Sequence, residues 1–176
     1  MKKRSINKRR AGNVPVRGEG ASLRCKKGGR IITCFLSACY TGYLPFMPGT
    51  FGSAFASVLV FLFPVFFRSL PAVIVLIVLL TAAAVAAFDL AGLRGTDPGW
   101  VVVDEVIGSF VAVAGHRLSL FTVIGGFILF RIFDILKPFP VKHAERLPGG
   151  YGVVADDIVA GIYASIFLFA GEYTLG

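Results

Sequence analysis

The sequence predicts an all-α, polytopic membrane helix bundle of about five spanning helices, preceded by one interfacial or re-entrant segment. Three observations carry this. Apolar residues make up 56% of the 176 residues, charged residues only 16%, and mean hydropathy is +0.78. That balance fits neither a disordered chain nor an ordinary soluble domain of this size. Six apolar segments follow one another, at 31–47, 51–67, 70–88, 98–115, 118–136 and 153–170. The basic residues gather on one side of the arrangement these segments imply. We therefore divide the chain into a basic arm, 1–30, and a membrane-embedded domain, 31–176.

The arm holds eleven of the eighteen Lys/Arg and one acid, Glu19, whereas the remaining 146 residues hold seven against nine. It contains no apolar run, so it does not read as a secretory signal peptide. It reads as a flexible cytoplasmic tail that sets topology and can lie on anionic headgroups. It has no aromatic residue for base stacking, so nucleic-acid binding is not expected. Three cysteines, Cys25, Cys34 and Cys39, fit no zinc spacing and leave an odd thiol.

The first apolar segment breaks near Thr41-Gly42 and Pro45 and closes at Pro48-Gly49, so it is too interrupted to cross. The second is short and holds Pro64 but is uncharged. The third, LPAVIVLIVLLTAAAVAAF, has the length and purity of a spanning helix. The last three carry ionisable groups: Asp104-Glu105, then Arg131 with Asp134, then Asp156-Asp157. Such groups are costly in a membrane and normally face a bundle interior or wet cavity. With the arm inside and one crossing per segment from the second onward, sixteen of the eighteen Lys/Arg fall on the inner side. All three acidic clusters then reach a similar depth near the cytoplasmic face.

Adjacent acids on a helix point about 100° apart, so each pair can offer one carboxylate to a shared centre and keep the other for a supporting role. Asp104, Glu105, Asp134, Asp156 and Asp157 form an all-oxygen ligand set, which selects a hard cation, Mg²⁺ by default. His116 and His143 are isolated and read as surface or interfacial residues, which speaks against zinc. Arg131 and Lys137 flank Asp134 at i−3 and i+3. They can stabilise a phosphoryl group, and an Arg131–Asp134 ion pair is equally consistent with the spacing. Two Gly-containing stretches suit an anion: Pro48, Gly49, Thr50, Gly52 and Ser53, with Thr50 placed to cap the second segment's helix, and Gly149, Gly150 and Gly152 before the last. A metal, cations and anion-ready backbone at headgroup depth suit hydrolysis of a phosphomonoester on an anionic phospholipid, by water or through a phospho-aspartyl intermediate.

Three blocks make the chain resemble the phosphatidylglycerophosphatase A family. They are Gly42-Tyr43-Leu44-Pro45 through Pro48-Gly49-Thr50-Phe51-Gly52-Ser53; Asp97 followed by Val101-Val102-Val103-Asp104-Glu105-Val106-Ile107-Gly108; and Phe130-Arg131-Ile132-Phe133-Asp134-Ile135-Leu136-Lys137-Pro138-Phe139-Pro140 with Gly149-Gly150-Tyr151-Gly152 and Asp156-Asp157. The resemblance implies a Mg²⁺-dependent, multi-pass phosphatase of the bacterial inner membrane that converts phosphatidylglycerophosphate to phosphatidylglycerol at the cytoplasmic face. It carries over the five carboxylates as the acidic site, with Arg131 and Lys137 as basic partners. Phe139 and Glu145 depart from the family's usual Trp and Asp, and the arm matches nothing in its pattern. Another phospholipid head-group enzyme is an alternative, but the chain lacks the D-x2-D-G-x2-A-R string of CDP-alcohol phosphotransferases. An ion-coupled transporter subunit would need polar residues near the midplane, and the half opposite the acids lacks a matching set.

Overall fold

The computed structural model describes residues 29–93, 98–144, 147 and 150–175. The basic arm up to residue 28, Asp97, Glu145, Pro148 and Gly149 lie outside the described residues. Those described form eight α-helices and one 3₁₀ turn, with no strand among them.

Helix α1, Arg30–Leu36, rises only about 10 Å and does not cross a membrane. It ends in three successive left-handed residues, Ala38, Cys39 and Tyr40. Ser37 holds this turn by donating to the Thr33 carbonyl (2.7 Å) and accepting from the Tyr40 amide (3.0 Å). The 3₁₀ turn Thr41–Tyr43 follows, and Gly42 lies against the Trp100 carbonyl where a Cβ has no room. Tyr43 stacks on Trp100, 5.6 Å between centroids. The broken first segment expected from Thr41-Gly42 is therefore real, and the break packs on the approach to a later helix.

Helix α2, Pro48–Leu62, stops where Pro64 starts the short α3, Pro64–Phe67. Pro48 occupies the first turn, where its missing N–H costs nothing and its fixed φ suits the helix. This corrects the expectation that Thr50 caps α2: the helix starts earlier, at the proline, the capping position is Met47, and Thr50 is inside the first turn. Helix α4, Leu70–Ala91, ends at Gly92 with φ +72°. Then come α5, Val103–Val113; α6, Leu120–Leu136; α7, Val141–Ala144; and α8, Gly150–Leu175. Ser119 caps α6 by accepting from the Thr122 amide at 3.1 Å.

Among the described residues, two helices are long and apolar enough to cross a membrane, α4 (hydropathy 2.8) and Gly150–Thr174 of α8 (hydropathy 1.8). Only 22% of the most apolar stretch of α4 is buried against the chain. A core helix of a soluble protein would be covered, whereas Ile74, Val75, Val78 and Leu79 are all at least half exposed. An exposed apolar face of this kind suits a lipid or protein surround. The other three expected crossings are shorter, with 15 residues in α2, 11 in α5 and 17 in α6. Pro64 interrupts the first of these, and Ala114-Gly115, with Gly115 at φ +81°, ends the second.

Helix α5 is the centre of the bundle, packed by α8, α6, α2 and α4. Its closest approach is to α8. A Cβ at Gly161 would meet Val111 Cβ at 2.9 Å as well as the Gly108 carbonyl, and one at Gly108 would meet the Asp157 carbonyl at 2.7 Å. Small residues let these backbones approach, as in membrane helix pairs generally. Gly161→Val should destabilise the protein by about 1–3 kcal/mol, measured as a fall in the thermal midpoint in detergent.

At the end of the bundle formed by the α5–α6 turn and the end of α8, the structure departs from the sequence reading. His116 is buried, not a surface residue. Its Nε2 lies 2.9 Å from Ser165 Oγ and its Nδ1 2.9 Å from Glu172 Oε2, and Thr122 donates to Glu172 Oε1 at 2.9 Å. This half therefore does hold a polar set, its members hydrogen-bonded to one another and, through Thr122, to Ser119 and the Arg117 carbonyl. It ties the end of α8 to the α5–α6 turn. His143 is exposed, as expected.

Candidate metal and phosphate site

The opposite end of the bundle gathers the acids. Asp104 and Glu105 stand in the first turn of α5, where a helix N-terminus favours negative charge. Asp134 is in the last turn of α6, and Asp156 and Asp157 lie about two turns into α8. Helices α5 and α8 start at this end and α6 finishes there, so three sequence-distant clusters arrive at one level. Asp104, Asp156 and Asp157 are buried, between 4% and 6% exposed.

Asp104, Glu105 and Asp157 each present a carboxylate oxygen within 4.8 Å of the others. Three such groups in a buried space repel one another unless a cation or protons sit between them. Glu105 Oε2 is buried with no hydrogen-bond partner among the described residues, which leaves an acceptor for a ligand. An all-oxygen set of this kind fits a hard metal ion. Asp134 is close enough to Glu105 and Asp157 to interact with both electrostatically.

The adjacent pairs do not behave alike. Asp157 joins the trio while Asp156 accepts from Lys137 Nζ at 2.8 Å, the division of labour expected for adjacent acids. Asp104 and Glu105 both join it, which corrects the expectation for their pair. Arg131 Nη1 lies 2.8 Å from Asp134 Oδ2, so the i,i+3 ion pair forms. Arg131 Nε is buried without a partner among the described residues and is thus free to meet an anion.

The residues proposed for phosphate divide. Gly49 faces the site: a Cβ there would come 3.1 Å from both Arg131 Nη1 and Glu105 Cδ. Thr50 Oγ1 is buried without a partner among the described residues. Pro48 starts the turn that carries them. Ser53 donates to the Gly49 carbonyl at 2.9 Å, so its hydroxyl is spent inside α2, and Gly52 packs on Val102. Gly150 lies against Phe88 of α4, 2.9 Å from its Cβ for an added methyl, a close packing contact. Gly152 is buried in the first turn of α8, and Gly149 lies outside the described residues. One residue the sequence reading missed is Tyr163, whose hydroxyl donates to the Phe139 carbonyl at 2.8 Å. It anchors the chain just after Lys137, and its place seven residues beyond Asp156, two helical turns on the same face, was a usable signal.

Residues 34–172 match the sequence model of the family described as phosphatidylglycerophosphatase A. A protein of Bacteroides thetaiotaomicron, named provisionally as a phosphatidylinositol-3-phosphatase, is 41% identical over 144 residues, covering 77% of this chain and 90% of its own. The phosphatidylglycerophosphatase A of Escherichia coli is 31% identical over 136 residues, 76% of this chain and 79% of its own. That of Haemophilus influenzae is 46% identical over 79 residues, 44% of this chain and 48% of its own. No solved structure matches the chain.

Proposed function

The chain belongs to the phosphatidylglycerophosphatase A family, and from that membership we propose that it hydrolyses the phosphomonoester of phosphatidylglycerophosphate to phosphatidylglycerol and phosphate, with Mg²⁺. The observation that carries this reading is the gathering of Asp104, Glu105 and Asp157 carboxylate oxygens within 4.8 Å of one another, with the Arg131–Asp134 and Lys137–Asp156 ion pairs on the other acids of the same clusters. A bound Mg²⁺ would neutralise phosphoryl oxygens and acidify a water, with Asp104, Glu105 and Asp157 as the residues to hold it. Arg131, fixed by Asp134, turns its guanidinium to the phosphoryl oxygens as negative charge builds on them. The first turn of α2 brings Gly49, which has no side chain to fill the space, against Glu105 and Arg131, and carries the unpartnered Thr50 Oγ1 next to it in the chain. A carboxylate of the acidic group takes the proton of the attacking water. The same group accommodates direct attack by a carboxylate oxygen, giving an acyl phosphate that water then cleaves. Lys137, held by Asp156 at 2.8 Å, adds a second positive charge at the acidic end.

The membrane arrangement belongs to the same reading: five crossings in the inner membrane, with the acidic end at the cytoplasmic face. Its support is the grouping of the acids at one end, the exposed apolar face of α4 and the sidedness of Lys and Arg. The Bacteroides relative's name favours one second substrate, a phosphatidylinositol 3-phosphate, which offers the same phosphomonoester on a different headgroup. Phosphate release from detergent-purified protein, compared across phosphatidylglycerophosphate, phosphatidylinositol 3-phosphate and phosphatidic acid, separates these. The highest kcat/KM is expected for phosphatidylglycerophosphate. No release from that lipid by folded protein would overturn the assignment.

A further inference from the structure

A cavity of about 900 Å³ runs between α1, α2, α3, α4 and α5, within the range of ligand pockets, roughly 300–1,000 Å³. From α2 and its end it is lined by Phe55, Leu59 and Phe63, spaced i, i+4, i+8, and from α5 by Val103, Val106 and Phe110, spaced i, i+3, i+7. Each set is one helical stripe, and the two together give the cavity a wall of about 10–12 Å along the bundle. Arg30 is the one charged residue lining it. A polar ligand would find almost nothing to bond there, and the groove is open to its surroundings, so an apolar occupant can enter and cover its walls. The occupant is therefore a hydrocarbon chain. The direction of the groove says which one. It begins at Val103, the residue before Asp104, and leads away from the acidic level along α5 and α2. A phosphorylated lipid has that same relation between its headgroup and its tails.

We propose that this groove receives an acyl chain of the phospholipid whose phosphate lies at Asp104, Glu105 and Asp157, an inference that rests on the phosphatase reading above. Binding energy gained along the chain then positions the phosphoryl group, so the groove selects for acylated substrate.

Leu59→Trp fills the groove from α2, while Val58→Trp adds the same bulk on the outward face, where Val58 is 54% exposed. Two substrates are compared, long-chain phosphatidylglycerophosphate and its deacylated, water-soluble counterpart. Leu59→Trp should lower kcat/KM for the long-chain lipid roughly tenfold or more, mainly through KM. It should leave the deacylated compound unchanged, and Val58→Trp should alter neither. A phosphatidic acid with a photoactivatable diazirine in its acyl chain gives a readout that needs neither turnover nor the variant. Crosslinks on the wild-type protein should concentrate on the Phe55, Leu59 and Val106 positions rather than on outward Ile74 and Val78. An equal loss on both substrates, or crosslinks spread over the outward faces, would overturn the proposal while leaving the phosphatase intact. Crosslinks in the groove of a protein that releases no phosphate would sink the phosphatase reading and keep the groove as a lipid-chain site.

Discussion

Asp157→Asn should cut phosphate release by roughly 10²–10⁴-fold, with unchanged helical content and unchanged elution in detergent. Asp157 is 4% exposed and reaches Asp104 and Glu105 from a different helix. Asparagine keeps the volume and much of the hydrogen bonding but removes the charge. Two consequences follow. The trio loses one of the anionic oxygens that would hold a cation, and the repulsion that burdens the folded state is relieved. Activity should therefore collapse while thermal stability stays level or rises, the signature of a group kept for function at a cost to stability. Asp156→Asn is the internal comparison. Its carboxylate is met by Lys137 at 2.8 Å, so its loss should reduce activity less. A variant order with Asp156 ahead of Asp157 would contradict the geometry.

Gly49→Ala should reduce kcat roughly 10²-fold, the cost of displacing reacting groups by about 1 Å. The added methyl collides with Glu105 Oε1 and lies 3.1 Å from Arg131 Nη1. Both are the ends of flexible side chains, so they can move aside and the fold survives. What moves, however, is one carboxylate of the trio and the guanidinium beside it. The thermal midpoint should barely change while kcat falls, and KM should shift less than kcat. A silent variant would mean that the α2 turn does not abut the reacting groups.

The convergence of the acids was legible in the sequence because helix order and charge sidedness together fix which end of each helix Asp104, Asp134 and Asp157 occupy. The interruption of the first segment was legible for a similar reason, since Gly42 and Pro45 punish a continuous helix in any context. Other features depended on tertiary contacts. Thr50 has the chemistry of a cap, but Pro48 can begin a helix and did so two residues earlier. Gly150 belongs to a glycine-rich stretch that suits a phosphate, yet its neighbour is Phe88, sixty-odd residues away in the chain. His116 looked isolated because Thr122, Ser165 and Glu172 are brought to it by two other helices. The five expected crossings rested on apolar runs and on the sidedness of Lys and Arg, and neither reports where Pro64 or Gly115 ends a helix. The apolar groove was invisible for the same reason: Phe55, Leu59 and Val106 look like ordinary core residues until the space between them is seen.

The most direct test is phosphate release from phosphatidylglycerophosphate by metal-stripped protein as Mg²⁺ is added back, for the wild type and Asp157→Asn in parallel. The wild type should be inactive after EDTA and recover saturably, and Asp157→Asn should need far more Mg²⁺ or fail to recover. Full activity in the stripped wild type, or the same Mg²⁺ titration in both proteins, would contradict a cation site built from Asp104, Glu105 and Asp157.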